Sequence, residues 1–190
     1  MTARIAVVYH SATGRAYSIA QAVAEGAAEA GADVRLRRMA DLDATADVPV
    51  VTLDDLTWAD GFALGTPAPF GKVSALLEQF IDSTSGLWQG GRLAGRPAIG
   101  FTSGYQPHGG PETTLVALHN VLDHWGAVIL PTGYVDYEVH DPMAAARFQG
   151  GRLARLAAAL ATVRAPELTL ASTGAGVPGS APAPVHLTHR

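Results

Sequence analysis

The stretch that decides the fold is Arg4-Ile-Ala-Val-Val-Tyr-His-Ser-Ala-Thr-Gly-Arg-Ala-Tyr-Ser18, near the start of the 190-residue chain. Its first part, Ile5 to Tyr9, is continuously apolar, which is typical of a strand buried on both faces. The residues after Gly14 carry apolar side chains at helical spacing. The sequence therefore predicts a strand that passes through a small, hydroxyl-rich turn directly into a helix.

A strand–turn–helix unit of this kind is a favourable place for phosphate, because the N–H groups of the turn and the positive end of the helix dipole meet there. The chain has neither a Gly-x-x-x-x-Gly-Lys-Ser/Thr loop nor a Gly-x-Gly-x-x-Gly loop after this strand. The turn is therefore expected to hold a monophosphate. The residue pattern alone leaves a second interpretation open, in which Ser11 or Thr13 only caps the helix.

The composition of the whole chain narrows the classes of function. The formal net charge is −4 and no cluster of lysine or arginine is present, which argues against nucleic acid as a partner. The chain contains no cysteine, so thiolate chemistry is excluded, and we predict no metal site. No apolar run approaches the ~20 residues needed to span a bilayer, and the first strand begins too early for a signal peptide. We therefore expect a cytoplasmic protein that is not inserted in a membrane.

The chain is expected to form one globular domain, residues 1–164, followed by a tail. Apolar residues make up 48% of the sequence, which is enough for a sizeable core. After Ala165-Pro166 the composition changes to mainly Ala, Pro, Gly, Ser and Thr. Such a segment cannot bury enough side chain to offset the entropy of ordering it. Residues 165–190 are therefore predicted to be flexible and to carry no chemistry.

Strand-like and helix-like segments alternate five times with short connections. This alternation predicts a doubly wound α/β fold with five parallel strands between two helical layers. We expect the flavodoxin-like form of this fold, in which the strand order is 2-1-3-4-5. Ligands of such sheets bind beyond the carboxyl ends of the strands. The loops after strands one, three and four are rich in Gly, Ser, Thr or Pro, and we expect them to converge on one crevice. Residues 127–130 are predicted to form the fifth strand, and the glycine-flanked stretch 86–91 to be a loop.

Several short motifs follow one another along the chain. They are Val23-Ala-Glu-Gly-Ala27, Gly65-Thr-Pro-Ala-Pro-Phe-Gly71, Phe80-Ile-Asp82, Gly86-Leu-Trp88, Leu122-Asp-His-Trp-Gly126, Leu130-Pro-Thr-Gly-Tyr134 and Ala146-Arg-Phe-Gln-Gly-Gly151. Through them the chain resembles, over residues 1–163, the tryptophan-repressor-binding-protein family of WrbA-like NAD(P)H:quinone oxidoreductases. Each motif is weak by itself, but their joint order is specific. The resemblance implies a flavodoxin-like fold with FMN as the cofactor.

The resemblance also implies which residues hold FMN. The phosphate would lie on the turn after the first strand and on the first turn of the helix. The isoalloxazine ring would lie against residues 68–71, and its pyrimidine end and the ribityl chain within residues 102–110. The FMN-binding residues so implied are Ser11, Ala12, Thr13, Gly14, Arg15, Ala16, Ser18, Ala68, Pro69, Phe70, Gly71, Thr102, Ser103, Gly104, Tyr105, Gly109 and Gly110.

The same family pattern implies an activity and two catalytic residues. Trp88 and His124 match the family residues that help form an apolar slot for nicotinamide and quinone, partly from a neighbouring subunit. The implied reaction is a ping-pong transfer of two electrons, as hydride, from NADH or NADPH to a quinone-like acceptor. A homo-oligomer, either a dimer or a tetramer, is expected with this reaction.

The chain departs from the family pattern at positions that bear on the substrate. Pro69 stands where the family has an arginine, and Thr13 stands where it has an aromatic residue. Tyr105 adds a ring to the fourth-strand loop, and the excursion after the fifth strand is reduced to residues 135–142. Two other functions therefore stay open: a flavodoxin-type electron carrier that serves a redox partner, and an FMN-binding interaction module without turnover.

Overall fold

The computed structural model describes residues 2–40, 47–106, 108–133 and 141–163. Within these ranges five strands form one parallel sheet in the order β2-β1-β3-β4-β5. The strands are β1 (Arg4–Tyr9), β2 (Asp33–Arg38), β3 (Gly61–Pro67), β4 (Pro97–Ser103) and β5 (Val128–Ile129). The predicted fold class and strand order are confirmed.

Helices cover both faces of this sheet. They are α1 (Arg15–Glu29), α2 (Leu53–Trp58), α3 (Ala75–Ser83), α4 (Ser85–Gln89), α5 (Pro111–His124) and α6 (Pro142–Val163). The apolar residues of α1 and α6 pack with one face of the strands, and those of α2, α3 and α5 pack with the other. Side chains of β1 enter both cores in alternation, which explains why its sequence is apolar without a break.

Helices α1 and α6 are in backbone contact through two glycines. A Cβ atom on Gly26 would overlap the carbonyl group of Arg147, and one on Gly150 would overlap the carbonyl group of Val23. Any larger side chain at these positions would therefore force the two helices apart. The first and last helices of the described domain form one tightly packed layer for this reason.

The edge strand β2 is joined to α2 through a buried carboxylate. Asp55 Oδ1 accepts hydrogen bonds from Arg35 Nη1 at 3.1 Å and from Arg37 Nε at 3.0 Å, and Oδ2 accepts one from the Thr52 N–H at 3.0 Å. Burial favours the neutral acid, but the Thr52 N–H and the charge of Arg37 outweigh it and hold the pKa of Asp55 below its ordinary value. The carboxylate is thus ionised and fully paired at neutral pH.

Two local predictions were wrong. Residues 86–91 are not entirely loop, because α4 covers Ser85–Gln89. The Thr84 carbonyl accepts hydrogen bonds from the N–H groups of Leu87 and Trp88, which continues the helical path directly after α3. Strand β5 has only two residues, not four, because its pairing with β4 is limited to Pro97 and Ala98 at the start of that strand.

Some predictions fall outside the described residues. These include part of the shortened segment 135–142, the tail 165–190 and the boundary that separates the tail from the domain. In the part of the chain that the structure describes, no helix is both long enough and apolar enough to cross a membrane. The same residues include no group of three or more His, Cys, Asp or Glu side chains that could bind a metal ion.

Candidate functional site

Three loops meet where β1, β3 and β4 end, at what we call the carboxyl edge of the sheet. They are the β1 loop (residues 10–14), the β3 loop (residues 68–74) and the β4 loop (residues 104–110, described except for residue 107). The His10 N–H donates to the Gly65 carbonyl at 3.0 Å, and the Ala68 N–H donates to the Ser103 carbonyl at 3.0 Å. The predicted convergence of the three loops is therefore observed.

The β1 loop leaves several backbone donors open. Gly14 forms the N-cap of α1 in the left-handed conformation, with φ of +82°, and no side chain caps the helix from this position. Within the loop, Ala12 and Thr13 are exposed to solvent. Among the described residues, no hydrogen bond uses the N–H groups of residues 12–16. The first turn of α1 thus offers unsatisfied donors and a positive dipole end to an anion.

Two serines of this region support the helix start. Ser11 is buried, and its Oγ accepts a hydrogen bond from the Tyr17 N–H at 3.2 Å. Ser18 is exposed, and its Oγ donates to the Gly14 carbonyl at 3.2 Å. Ser11 therefore has the helix-supporting role that the sequence left open, while Thr13 forms no such bond in the described structure.

The β3 loop presents an aromatic ring to solvent. Pro69 starts a 3₁₀ turn, Pro69–Gly71, and Phe70 within it has φ of +54° with 99% of its surface exposed. A bulky residue with positive φ is strained, and exposure of a whole ring gains no burial energy in return. The loop thus holds an apolar, flat surface at the carboxyl edge, without a partner among the described residues.

The backbone donors of the β3 loop are almost all used within the fold. The Ala68 N–H is bonded to Ser103, the Gly71 N–H donates to the Ala68 carbonyl at 3.3 Å, and the Lys72 N–H donates to the Pro69 carbonyl at 3.1 Å. Pro69 has no N–H. In residues 68–72, the Phe70 N–H is therefore the donor that no described hydrogen bond uses.

The β4 loop is locked against the β3 loop by glycine contacts. Gly110 has φ of +107°, and a Cβ atom there would overlap the backbone of Gly71. Thr113 Oγ1 donates to the Gly71 carbonyl at 3.0 Å, and Thr102 Oγ1 donates to the Thr66 carbonyl at 2.8 Å. The contacts of Thr66 and Thr113 were not predicted, because a single threonine next to a glycine-rich loop does not indicate which backbone group will form the hydrogen bond.

The β4 loop also reaches the β1 loop through one side chain. Arg15, the first residue of α1, donates through Nη1 to the Gly104 carbonyl at 3.3 Å. The guanidinium carbon lies 5.3 Å from the centre of the Tyr105 ring, which is 86% exposed. Ser103 is the last residue of β4 and leads into the loop. Within the loop, the Gly109 N–H donates to the Gln106 carbonyl at 3.1 Å. The segment after β4 thus contacts both of the other predicted cofactor segments, through Arg15 on one side and Gly71 on the other.

Trp88 and His124 lie at the opposite, amino edge of the sheet. Their rings stack with centres 5.3 Å apart and planes 27° apart, and Trp88 is 44% exposed. Helix α5 begins at Pro111 on the carboxyl edge, and its 14 residues carry His124 about 20 Å away. The structure therefore does not bring these two side chains to the three loops of the same chain.

The stacked pair lines a cleft between α3, α4 and α5. This Trp88–His124 cleft has a volume of about 340 Å³ and is lined mostly by apolar surface, with Ile81, Val121 and Trp125 among its walls. It is open to solvent, and the Trp88 ring is partly exposed within it. The geometry is suitable for a flat ligand or for a second protein surface.

A comparison with protein-family models gives a match over residues 3–139, to the family described as NADPH-dependent FMN reductase. The chain belongs to this family. Within it, the chain is WrbA-like. Membership identifies it as an FMN-dependent oxidoreductase that uses NADH or NADPH as co-substrate.

Similar proteins carry names that agree with this assignment. A protein named NAD(P)H dehydrogenase (quinone) from Deinococcus radiodurans is 38% identical over 149 residues, which cover 70% of this chain and 74% of the relative. A protein of the same name from Geotalea uraniireducens is 34% identical over 201 aligned residues, which cover 83% of this chain and 99% of the relative. That alignment is longer than the 190-residue chain, so this chain lacks residues that the relative has.

Solved structures agree as well. A flavodoxin, WrbA-like protein from Agrobacterium tumefaciens is similar with a TM-score of 0.69 and 28% identity, covering 83% of this chain and 99% of that one. An archaeal flavodoxin is similar with a TM-score of 0.63 and 19% identity, covering 82% of this chain and 99% of that one. The second likeness concerns the fold alone.

Proposed function

We propose that this chain transfers two electrons, as hydride, from NADH or NADPH to a quinone or a similar acceptor by a ping-pong mechanism in the cytoplasm. The observation that carries the proposal is the carboxyl edge, where three loops converge near the N-terminus of α1 and the N–H groups of residues 12–16 have no partner among the described residues. The names of the similar proteins, NAD(P)H dehydrogenase (quinone), support a quinone as the acceptor.

The β1 loop would hold the FMN phosphate. The open N–H groups of residues 12–16, the exposed Thr13 hydroxyl and the positive end of the α1 dipole all favour a doubly charged anion. Ser11 acts from below, since its hydroxyl keeps the first turn of the helix in place. Ser18 can exchange its bond to the Gly14 carbonyl for one to the phosphate.

The β3 and β4 loops would hold the isoalloxazine ring. Bound FMN supplies the ring that accepts hydride and passes it on. Phe70 offers an apolar surface to such a ring, and its N–H is the free donor for the polar edge of the ring. Because Ala68 is bonded to Ser103 and Gly71 lies against Gly110, the two loops position the ring as one unit.

Trp88 and His124 would act on the site of a second copy. They lie too far from the loops of their own chain, while their cleft is open and apolar. We infer a homo-oligomer, a dimer or a tetramer, in which the amino edge of one copy covers the carboxyl edge of another. The Trp88 ring would then close an apolar slot for nicotinamide and quinone above the flavin.

Rapid mixing tests the reaction. We expect anaerobic NADH or NADPH to bleach the flavin absorption band, and a quinone added afterwards to restore it. Initial rates measured against both substrates should give parallel double-reciprocal lines. If neither nucleotide bleaches the flavin, the proposal is wrong, and an FMN-binding module without turnover is favoured instead. One-electron-reduced flavin that accumulates on photoreduction would favour the flavodoxin-type carrier.

Mixed oligomers test the shared site. Trp88→Ala and Gly110→Ala impair the slot and the cofactor loops respectively, so each variant alone should turn over slowly. When the two are mixed, dissociated and reassembled, a hybrid contains one site with an intact Trp88 and intact loops. We expect the mixture to regain activity. If it shows only the average of the two variants, each chain acts within its own site.

A further inference from the structure

The two ends of the β3 loop are joined through the side chain of Thr66. This residue lies near the end of β3 and is fully buried. Its Oγ1 accepts a hydrogen bond from the Ser74 N–H at 3.1 Å and donates one to the Pro67 carbonyl at 2.9 Å. Ser74 is the last residue of the loop and the N-cap of α3. The Thr66 hydroxyl therefore fixes the separation between the strand that enters the loop and the helix that follows it.

The backbone of Thr66 is held from β4. Thr66 is paired with Thr102 in the parallel sheet, and Thr102 Oγ1 donates to the Thr66 carbonyl at 2.8 Å. The side chain of Thr66 lies on the same face of β3 as Phe62 and Leu64, because successive residues of a strand point to opposite faces. Those two residues pack in the same core as Leu77 of α3. Thr66 thus connects β3, β4 and α3 at the base of the β3 loop.

The β3 loop is tied to its surroundings on two sides. On one side, the Ala68 N–H and the Gly71 carbonyl are bonded to β4 and α5, as described above. On the side of α3, the described hydrogen bond is the one from Ser74 to Thr66. Phe70 lies between the two sides, with φ of +54° and its ring exposed. A strained residue keeps its conformation only where its surroundings hold it, so the position of Phe70 depends on both.

We propose that Thr66 is a positioning residue for the isoalloxazine ring of FMN, because its hydroxyl sets where the β3 loop places Phe70. The assignment rests on the proposed function, since it takes FMN as the ligand of the carboxyl edge. Thr66 is fully buried at the base of the loop, so it acts through Phe70 and not by contact with the ring. Without the hydroxyl, the buried Ser74 would have an unpaired N–H, which is costly, and the loop would shift until that donor finds an acceptor.

The phosphate end of FMN is outside the reach of this effect. The phosphate would lie on the β1 loop, and neither hydrogen bond of the Thr66 hydroxyl involves that loop. Removal of the hydroxyl should therefore weaken the binding of riboflavin, which lacks the phosphate, as much as that of FMN. It should weaken reduced flavin more than oxidised flavin, because reduction places negative charge at the polar edge of the ring, where the Phe70 N–H is the free donor. A threonine that only stabilises the fold would not distinguish the two oxidation states.

Flavin titration of the full chain freed of flavin, and redox potentiometry of the FMN-loaded chain, test the assignment. Thr66→Val removes the hydroxyl and keeps a branched side chain, whereas Thr66→Ser keeps the hydroxyl. Asp55→Asn is the matched control, because it weakens the hydrogen bonds of another buried side chain that does not touch the three loops. The readouts are the Kd of FMN and of riboflavin, from fluorescence quenching, and the two-electron midpoint potential of bound FMN.

We expect Thr66→Val to raise the Kd of oxidised FMN and the Kd of riboflavin by the same factor, about tenfold. The Kd of reduced FMN should rise about tenfold more, which lowers the midpoint potential by about 30 mV for a two-electron couple. Thr66→Ser should restore both constants and the potential. Asp55→Asn should leave all of them at the wild-type values.

Three results would overturn the assignment while the proposed function stands. The first is a Thr66→Val variant whose midpoint potential equals that of the wild type. The second is a loss that Thr66→Ser does not restore or that Asp55→Asn shares, since either would assign the effect to packing or to stability. The third is weaker binding of FMN with unchanged binding of riboflavin, which would place the effect at the phosphate.

The assignment stays testable if Thr66→Val does not fold. Thr66→Cys then replaces it, because a thiol is a weak hydrogen-bonding group that fits a similar space, and the same three results decide. A wild-type protein that binds neither flavin would overturn both this assignment and the proposed function.

Discussion

The carboxyl edge and the amino edge of this sheet are built by different means. At the carboxyl edge, loops meet through backbone groups: Ala68 is bonded to Ser103, and Gly71 lies against Gly110. At the amino edge, side chains make the contacts: Trp88 stacks on His124, and the buried Arg96 donates to the carbonyl groups of residues 56 and 59 at 2.6 Å. The first edge therefore depends on conformation and tolerates few glycine substitutions. The second depends on the shape and chemistry of individual side chains.

The largest effect is expected from Gly110→Ala at the carboxyl edge. A methyl group there meets the backbone of Gly71, and the φ of +107° is unfavourable for alanine. The β3 and β4 loops must separate, so FMN affinity should fall about a hundredfold and unfolding should cost about 2 kcal/mol less. Flavin titration and chemical denaturation measure the two effects.

Gly86→Ala serves as the matched control at the amino edge. A Cβ atom at this position meets nothing within 4 Å, and Gly86 has no positive φ. FMN affinity and stability should both stay close to the wild type. If Gly86→Ala were as damaging as Gly110→Ala, the contrast between the two edges would be lost.

An effect on stability alone, with none on FMN affinity, is expected from Asp55→Asn, which lies at neither edge. The variant removes the carboxylate that receives Arg35 and Arg37, and the free energy of unfolding at pH 7 should fall by about 1–3 kcal/mol. FMN affinity should not change, because the β2–α2 contact does not touch the three loops. If Asp55→Asn bound FMN more weakly than the wild type at the same temperature, the conformation of the three loops would depend on the stability of the whole domain.

The stability difference between wild type and Asp55→Asn should depend on pH in one direction. The pKa of Asp55 is lower in the folded protein than in the unfolded chain. Its contribution is therefore fully present above the unfolded pKa, near pH 4, and is lost as pH falls through the folded pKa. Denaturation curves at a series of pH values should converge at the acidic end. A difference that grows as pH falls would contradict the assignment.

The smallest effect is expected from Trp88→Ala at the amino edge. The kcat/KM for quinone should fall about tenfold, as the loss of one aromatic contact worth about 1.4 kcal/mol does. The Kd for FMN should stay unchanged, because the ring is remote from the loops of its own chain. Val116→Ala, an exposed aliphatic residue of α5 outside the cleft, is the control. A matching loss of FMN affinity in Trp88→Ala would contradict a role limited to the nicotinamide and quinone slot.

The strand order and the three convergent loops were predictable because they follow from local patterns. An unbroken apolar run such as Ile5 to Tyr9 marks a central strand, and alternation with helices leaves few topologies. Helix α4 was not predictable, since Gly86 lowers helical propensity and the Thr84 carbonyl bonds that continue the helix depend on where α3 ends.

Contacts between residues far apart in the sequence could not be predicted from the residue pattern. The contact of Arg15 with Gly104 joins residues 89 positions apart, and no periodicity indicates it. The location of Trp88 and His124 was likewise hidden, because a family motif names residues without stating at which end of a helix a single chain carries them. The positive φ of Phe70 is a third case, since it results from the packing of two loops.

The glycine contact between α1 and α6 has a consequence for how the protein is made. The three loops of the carboxyl edge all leave the ribosome before residue 111, but α1 has no complete packing partner until α6 has been synthesised. Nascent chains therefore expose the apolar face of α1 during most of translation. The α1–α6 layer is therefore completed only after α6 has been synthesised, which is later than the synthesis of all three loops.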